Sequence, residues 1–187
     1  EEVRAVGLQG LAVDLPRLVD LTERRLVETA GLETCRRDLL GLDLVLFLNG
    51  VPVATAELKS DFTQQVADAV AQYRHHRLPQ PKGAGAEPLL SFPRGALVHF
   101  AVSQSEVHMS TRLNGPDTVF LPFNRGDAGA AGNPVNAAGG PRTAYLWEAV
   151  WARESWLQIL GRYLVPKVSL KGQLEAVLFP RYHQLEV

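Results

Sequence analysis

The chain has 187 residues, of which 46% are hydrophobic and 21% are charged. This balance is typical of a globular protein with one domain, or with one domain and a fragment of another. A formal net charge of −1 excludes a global basic field, so any DNA contact must come from a local patch. The single cysteine, Cys35, excludes an internal disulfide framework and a cysteine-rich zinc site.

The sequence shows no membrane segment. No apolar run approaches the roughly 20 residues that a membrane-spanning helix needs. The first residues, EEVRAVGLQG, contain neither an initiator Met nor a signal-peptide pattern. We therefore expect a cytoplasmic piece of a protein with no membrane partner.

Residues 14–30 form the first predicted helix. Asp14 can cap this helix, and Gly31 ends it. Two acids within it, Glu23 and Glu28, are either solvated or reach a functional site, and the sequence leaves both alternatives open.

Two apolar runs of strand length follow, at residues 42–48 and 51–58. Asn49-Gly50 between them is the strongest short-range signal for a β-hairpin. We therefore predict a hairpin here.

The hairpin register decides whether its two acids can act together. A two-residue turn pairs Leu48 with Val51 and sets Asp43 opposite Ala56, on the face away from Glu57. One additional residue brings both acids to one face. Joint action of Asp43 and Glu57 therefore predicts a β-bulge or a three-residue loop near the turn.

The rest of the chain alternates between helices, strands and loops. The predicted elements are a helix from Asp61 or Thr63 to about Arg77, a Pro/Gly-rich loop at 78–95, strands at 96–103 and 106–112, a long loop at 114–141 and a helix at 143–164.

Asp43, Glu57 and Lys59 are residue types that metal-dependent phosphodiester hydrolysis requires. Mg²⁺ prefers oxygen ligands and accepts one or two protein carboxylates, and the Leu58 carbonyl offers another oxygen. Lys59 shares a strand face with Glu57, where it could orient a water and stabilise negative charge. The structural alternative is that Asp43 caps a strand end while Glu57 and Lys59 form a partly exposed ion pair.

Asp43 together with Glu57-Leu58-Lys59, in a hairpin that precedes a helix, resembles the PD-(D/E)XK nuclease superfamily. LDLVLFLNGVPVATAELKS, VADAVAQYRHHR, ALVHFAVSQSEVHMST, FLPFNRG, AGNP and AYLWEAVW resemble the N-terminal nuclease region of type I restriction endonuclease R subunits. The resemblance runs from about Leu42 to the C terminus. It implies an α/β, restriction-endonuclease-like fold with a mixed central sheet flanked by helices.

The resemblance also implies roles for individual residues. Asp43, Glu57 and the backbone carbonyl of Leu58 would bind Mg²⁺, and Lys59 would be the catalytic lysine. The family carries a Gln-x-x-x-Tyr motif on the helix after the lysine. The secondary site residues that correspond to it here are Gln72, which matches the Gln, and His76, which stands at the Tyr position.

The last residues, FPRYHQLEV, resemble the entry to the superfamily 2 helicase motor of the same subunit. Gln184 would contact the adenine of ATP. No GxxxxGK[ST] phosphate loop occurs in the sequence, so ATP hydrolysis is not expected of this segment. The implied domains are a nuclease domain at 1–168 and, at 169–187, a linker with the start of the motor.

The implied function is Mg²⁺-dependent cleavage of double-stranded DNA while the motor of the parent subunit translocates DNA with ATP. The implied partners are the modification and specificity subunits of a type I restriction complex. The alternative is a non-catalytic DNA-channel or docking module of the same subunit, because His76 departs from the family motif.

Other polar residues favour structural roles. His99 and His108, on neighbouring predicted strands, are typical of hydrogen-bonded sheet histidines, and His75-His76 cannot both face one metal from a helix. Several basic residues could line a DNA groove or belong to a solvated surface, namely Arg74, Arg77, Lys82, Arg94, Arg112 and Arg125.

Overall fold

The computed structural model describes residues 3–5, 42–48, 51–62 and 64–185. The predicted helix at 14–30, with Glu23 and Glu28, lies outside the described residues. The Asn49-Gly50 turn lies outside them as well, although the strands on both sides of it are described.

A six-stranded mixed sheet in the order β1-β2-β3-β4-β5-β6 organises the described residues. Its strands are β1 (Val3–Ala5), β2 (Leu44–Leu48), β3 (Val51–Leu58), β4 (Val98–Val102), β5 (Val107–Ser110) and β6 (Leu121–Pro122). β3 and β4 are parallel, and the other neighbouring strands are antiparallel. This α/β architecture is consistent with the restriction-endonuclease-like fold that the sequence predicts.

The hairpin of β2 and β3 contains a β-bulge. Leu46 pairs with Ala54 whereas Phe47 pairs with Pro52, so Val53 is an extra residue on β3. Val53 and Ala54 are consecutive in sequence, yet both are buried in the same apolar cluster. Two neighbouring side chains on one face are the expected consequence of a bulge.

The bulge sets the relation between the two acids of the hairpin. Beyond it Leu44 pairs with Ala56, so Asp43 lies across from Glu57, on the same sheet face. Without the extra residue, Asp43 would lie across from Ala56. The predicted bulge is therefore confirmed.

Helix α1 (Val66–His75) follows β3 and packs on the sheet face that carries Asp43 and Glu57. Its buried residues are Val66, Ala69, Val70 and Tyr73. The predicted cap at Asp61 is wrong, because that carboxylate accepts the backbone N–H of Gln104 at 3.3 Å. The helix begins later, where the Asp68 carboxylate accepts the backbone N–H of Gln65 at 2.6 Å.

A broken helical layer covers the opposite sheet face, and the predicted continuous helix at 143–164 is wrong. The layer consists of a π-helical turn (Leu146–Val150), helix α2 (Arg153–Gln158) and a second π-helical turn (Ile159–Tyr163). Ala152 breaks the first turn from α2 with an extended ψ of 138°. The break changes which helix face points to the sheet, so that Val150 and Trp156 are both buried in the core.

The C-terminal residues add a second, two-stranded sheet that the sequence did not predict. It consists of β7 (Val165–Val168) and β8 (Leu174–Leu178). Phe179 and Tyr182, which follow it, are buried in the main apolar cluster. The domain boundary at 168/169 remains a prediction. Among the described helices, none has both the length and the apolar character to cross a membrane.

Candidate active site

Asp43 lies immediately before β2 and contacts the end of β3. Its Oδ2 accepts the backbone N–H of Leu58 at 2.7 Å, in a half-buried position. This bond fixes the carboxylate at the edge where β3 ends. Asp43 therefore does cap the end of a strand, as the structural alternative from the sequence proposed.

The Leu58 backbone faces the same edge. The next residue, Lys59, donates its N–H to the Val102 carbonyl on the β4 side at 2.8 Å, whereas the Leu58 N–H points to Asp43. Because the N–H and C=O of one strand residue point to the same side, the Leu58 carbonyl is directed towards the Asp43 side.

Glu57 is completely buried on β3, and its two carboxylate oxygens differ. Oε1 accepts a hydrogen bond from Arg77 Nε at 2.6 Å, whereas Oε2 is buried with no hydrogen-bond partner among the described residues. The pKa of Glu57 is raised to about 8, mainly by burial and also by the charge of Asp43, although Arg77 and Lys59 act to lower it. A buried carboxylate oxygen without a partner is unfavourable unless a ligand completes it.

Lys59 lies beside that free oxygen. Its Nζ is 3.9 Å from Glu57 Oε2, and its side chain is 11% exposed. At this distance the pair attracts without a direct hydrogen bond. The ammonium group thus has its hydrogen atoms available near the carboxylates, in a position that still reaches solvent.

These groups fit a hard divalent cation. The available oxygens are Glu57 Oε2, the second oxygen of Asp43 and the Leu58 carbonyl, and Mg²⁺ is bound by such oxygens together with waters. Within the described ranges, no group of three or more His, Cys, Asp and Glu side chains is placed to hold a metal ion. A cation here would therefore depend on two carboxylates, a backbone oxygen and water.

The two secondary residues from the sequence lie at the end of α1. Gln72 is half-buried and His76 is exposed. The side chain from this helix end that contacts Glu57 is Arg77, for which the sequence left open a DNA groove or a solvated surface. The contact joins residues 20 positions apart, and only the basic character of the helix end hinted at it.

A buried polar network lies beside Glu57 on the same sheet face. The Thr55 hydroxyl is 2.8 Å from the Tyr73 hydroxyl and 2.8 Å from His99 Nδ1. Burial lowers the pKa of His99 to about 3, which keeps the imidazole neutral. Burial and the charge of Glu57 raise the pKa of Tyr73. His99 is thus the hydrogen-bonded sheet histidine that was expected.

Other sequence candidates lie in different contacts. His108 Nε2 is 4.0 Å from the Glu106 carboxylate, and Arg74 donates through Nε and Nη2 to the Thr118 carbonyl. Gln184 is exposed and accepts the Arg181 backbone N–H at 2.8 Å. Its predicted contact with adenine remains a prediction.

Comparison with known proteins supports the family that the sequence resembles. Residues 37–118 match the family model of the type I restriction enzyme R protein N terminus. The match contains Asp43, Glu57, Lys59 and the whole of α1. No curated protein and no solved structure matches the chain. Over residues 37–118, the chain is therefore similar to the type I restriction enzyme R protein N-terminal family.

Proposed function

We propose that this chain is the Mg²⁺-dependent DNA nuclease region of a type I restriction enzyme R subunit. The observation that carries the proposal is Glu57, a fully buried carboxylate on the face of Asp43. Its Oε2 lies beside Lys59 and has no hydrogen-bond partner among the described residues. Burial of such a group is hard to explain by stability, because an apolar residue there would avoid the desolvation cost.

Each residue has a role in the proposed reaction. Asp43, Glu57 and the Leu58 carbonyl would hold the cation, which supplies charge neutralisation and a more acidic water. Lys59 would orient the attacking water through its ammonium hydrogens and stabilise the negative charge that develops on the phosphate. Gln72 and His76 would support DNA from the end of α1.

The rest of the proposal concerns the parent subunit. It would assemble with modification and specificity subunits and translocate double-stranded DNA with ATP, and Gln184 would contact adenine. The near-neutral charge of this chain predicts weak, salt-sensitive DNA binding and little cleavage by the chain alone.

A crystal soaked in Mn²⁺ tests the site directly. We expect an anomalous peak between the carboxylates of Asp43 and Glu57, because Mn²⁺ accepts the same oxygen ligands as Mg²⁺. Glu57→Gln is the matched variant, since it keeps the shape but weakens the ligand, and its crystals should lack the peak. A wild-type crystal without a peak at this position would contradict the proposal.

The second candidate is a non-catalytic DNA-channel or docking module. The ion pair between Arg77 and Glu57 favours it, because the pair compensates the buried charge without a cation. In that case the Mn²⁺ soak leaves the site empty, and Glu57→Gln in the assembled enzyme leaves DNA cleavage unchanged.

A further inference from the structure

Arg77 lies just beyond the last turn of α1, at a point that the backbone fixes. The N–H groups of His76 and Arg77 both donate to the Gln72 carbonyl, at 2.8 and 3.0 Å. These two hydrogen bonds to one carbonyl oxygen close the helix end and direct the Arg77 side chain back towards β3.

Two further contacts hold the same helix end. Arg74 donates two N–H groups to the Thr118 carbonyl, and the Tyr73 hydroxyl is hydrogen-bonded to Thr55 on β3. The position of Arg77 is therefore set by the helix, by the sheet and by the loop around Thr118, rather than by its own ion pair alone.

The guanidinium group of Arg77 uses one of its five N–H donors on Glu57. Nε donates to Glu57 Oε1 at 2.6 Å, and the side chain is 19% exposed. The two terminal nitrogens have no partner among the described residues. Arginine forms planar, two-pronged hydrogen bonds to carboxylates and phosphates, so four donors remain for an external anion.

The charges around the site favour a phosphate as that anion. When Glu57 is ionised, as a bound cation would require, the charges of Asp43 and Glu57 balance those of Lys59 and Arg77, so a divalent cation would leave a net positive site. The Lys59 side chain is also partly exposed, at 11%. Two partly exposed cationic side chains beside the buried carboxylate are suited to one phosphodiester group.

We propose that Arg77 is a DNA-phosphate-binding residue of this site, which holds Glu57 through Nε and binds a backbone phosphate through its terminal nitrogens. The inference rests on the proposed nuclease function. Arg77 would fix the distance between the phosphate and the buried carboxylate, because a single rigid plane contacts both.

The experiment measures DNA binding by this chain across a series of salt concentrations without divalent ions. The probe is a short fluorescein-labelled duplex, and the readout is its anisotropy. Each phosphate contact contributes about 0.9 to the slope of log K against log salt. Removal of Arg77 should therefore reduce the slope by about one and weaken binding roughly three- to tenfold at low salt.

Arg77→Gln alone leaves Glu57 buried without its cation, which could unfold the chain. The comparison therefore uses Glu57→Gln and the double variant Glu57→Gln/Arg77→Gln, in which the partner at residue 57 is neutral. The charge-matched control is Arg162→Gln, an exposed arginine in the helical layer on the opposite sheet face. We expect a lower slope in the double variant and no change in the control.

Arg77→Lys separates charge from geometry. Its ammonium keeps the positive charge but cannot form the planar bridge between carboxylate and phosphate. We expect a salt slope near that of the unaltered chain, with at least a tenfold loss of kcat for DNA cleavage in the assembled enzyme. A purely structural arginine would lower thermal stability without moving the slope.

Equal slopes in Glu57→Gln and the double variant would overturn the role of Arg77. The same result with a Mn²⁺ peak in the soaked crystal would leave the proposed nuclease function intact. Conversely, a lower slope together with an empty metal site would support phosphate binding by Arg77 in a DNA-channel module and contradict the nuclease.

Discussion

The two faces of the central sheet differ in what they bury. The face under α1, the polar face, carries the polar residues Asp43, Thr55, Glu57 and His99 together with apolar residues such as Val45 and Ala101, whereas the opposite face carries Phe100 and other apolar side chains. On the polar face almost every buried polar group has a hydrogen-bond partner, which is the condition for burying it without a large cost. In the part of the chain that the structure describes, the exception on this face is Glu57 Oε2. The candidate site therefore lies on the face under α1, and the opposite face is purely a packing surface in this respect.

Aromatic packing dominates the second face. The ring of Phe100 lies with its centroid 5.6 to 6.5 Å from the rings of Phe123, Trp151, Trp156 and Phe179. Such edge-on and tilted pairs contribute beyond the area they bury. The same strand thus presents His99 to the polar network and Phe100 to this cluster.

The largest expected effect is loss of DNA cleavage when a residue of the candidate site on the polar face is changed. Lys59→Ala in the assembled enzyme should abolish DNA cleavage, by at least roughly a hundredfold, while ATP-driven translocation persists. Lys171→Ala removes an exposed lysine from the turn between β7 and β8 and should change neither. A plasmid cleavage assay and a translocation assay measure the two activities. Unchanged cleavage by Lys59→Ala would show that Lys59 is not the catalytic lysine.

The apolar face should respond in stability instead. Phe100→Ala should lower the free energy of unfolding by about 3–5 kcal/mol, since it leaves a cavity among packed rings. Phe62→Ala is the matched control, because that ring is 87% exposed. Urea denaturation followed by circular dichroism measures both. A change below about 1 kcal/mol in Phe100→Ala would show that this cluster does not support the fold.

The difference between the faces also explains what the sequence could predict. Local patterns predict the hairpin and its apolar runs, and the parity of β2 and β3 predicts the bulge, because side chains alternate with a period of two. The acids and Lys59 lie within this one hairpin. Their placement therefore needs only local register, although their roles as ligands and catalyst remain predictions.

Contacts that join distant segments could not be predicted in this way. The bonds of Thr55 to Tyr73 and to His99 span 18 and 44 residues, and no local pattern encodes them. The helical layer shows a related difficulty. A straight helix that buried Val150 would place Leu157, not Trp156, on the same face, so packing of the large indole ring overrides the helical propensity around Ala152.

A smaller effect should come from the polar network itself. Thr55→Val keeps the shape of the side chain but leaves the Tyr73 hydroxyl and His99 Nδ1 without their buried partner. We expect a loss of about 1–3 kcal/mol in the free energy of unfolding. Thr111→Val, at a half-buried position after β5, is the control and should change stability little. Equal stability of the two variants would show that the network has no net value.

The last prediction uses the pKa values of the polar face. Burial raises the pKa of Glu57 from 4.5 to about 8 and lowers that of His99 from 6.5 to about 3. Above pH 4.5 the folded chain retains the Glu57 proton that the unfolded chain loses, so stability falls as pH rises towards 8. Below pH 6.5 the unfolded chain protonates His99 and the folded chain does not, so stability falls as pH decreases towards 3.

The two slopes oppose each other between pH 4.5 and 6.5, and only the Glu57 slope remains between 6.5 and 8. In that upper window the free energy of unfolding should fall by about 1.4 kcal/mol per pH unit. Urea denaturation at a series of pH values measures this decline. Glu57→Gln should flatten it, whereas Glu154→Gln, an exposed control, should not. If stability of Glu57→Gln still fell by the full amount between pH 6.5 and 8, Glu57 would already be ionised at pH 6.5. The charges of Arg77 and Lys59, which favour the ionised form, would then outweigh burial and the charge of Asp43.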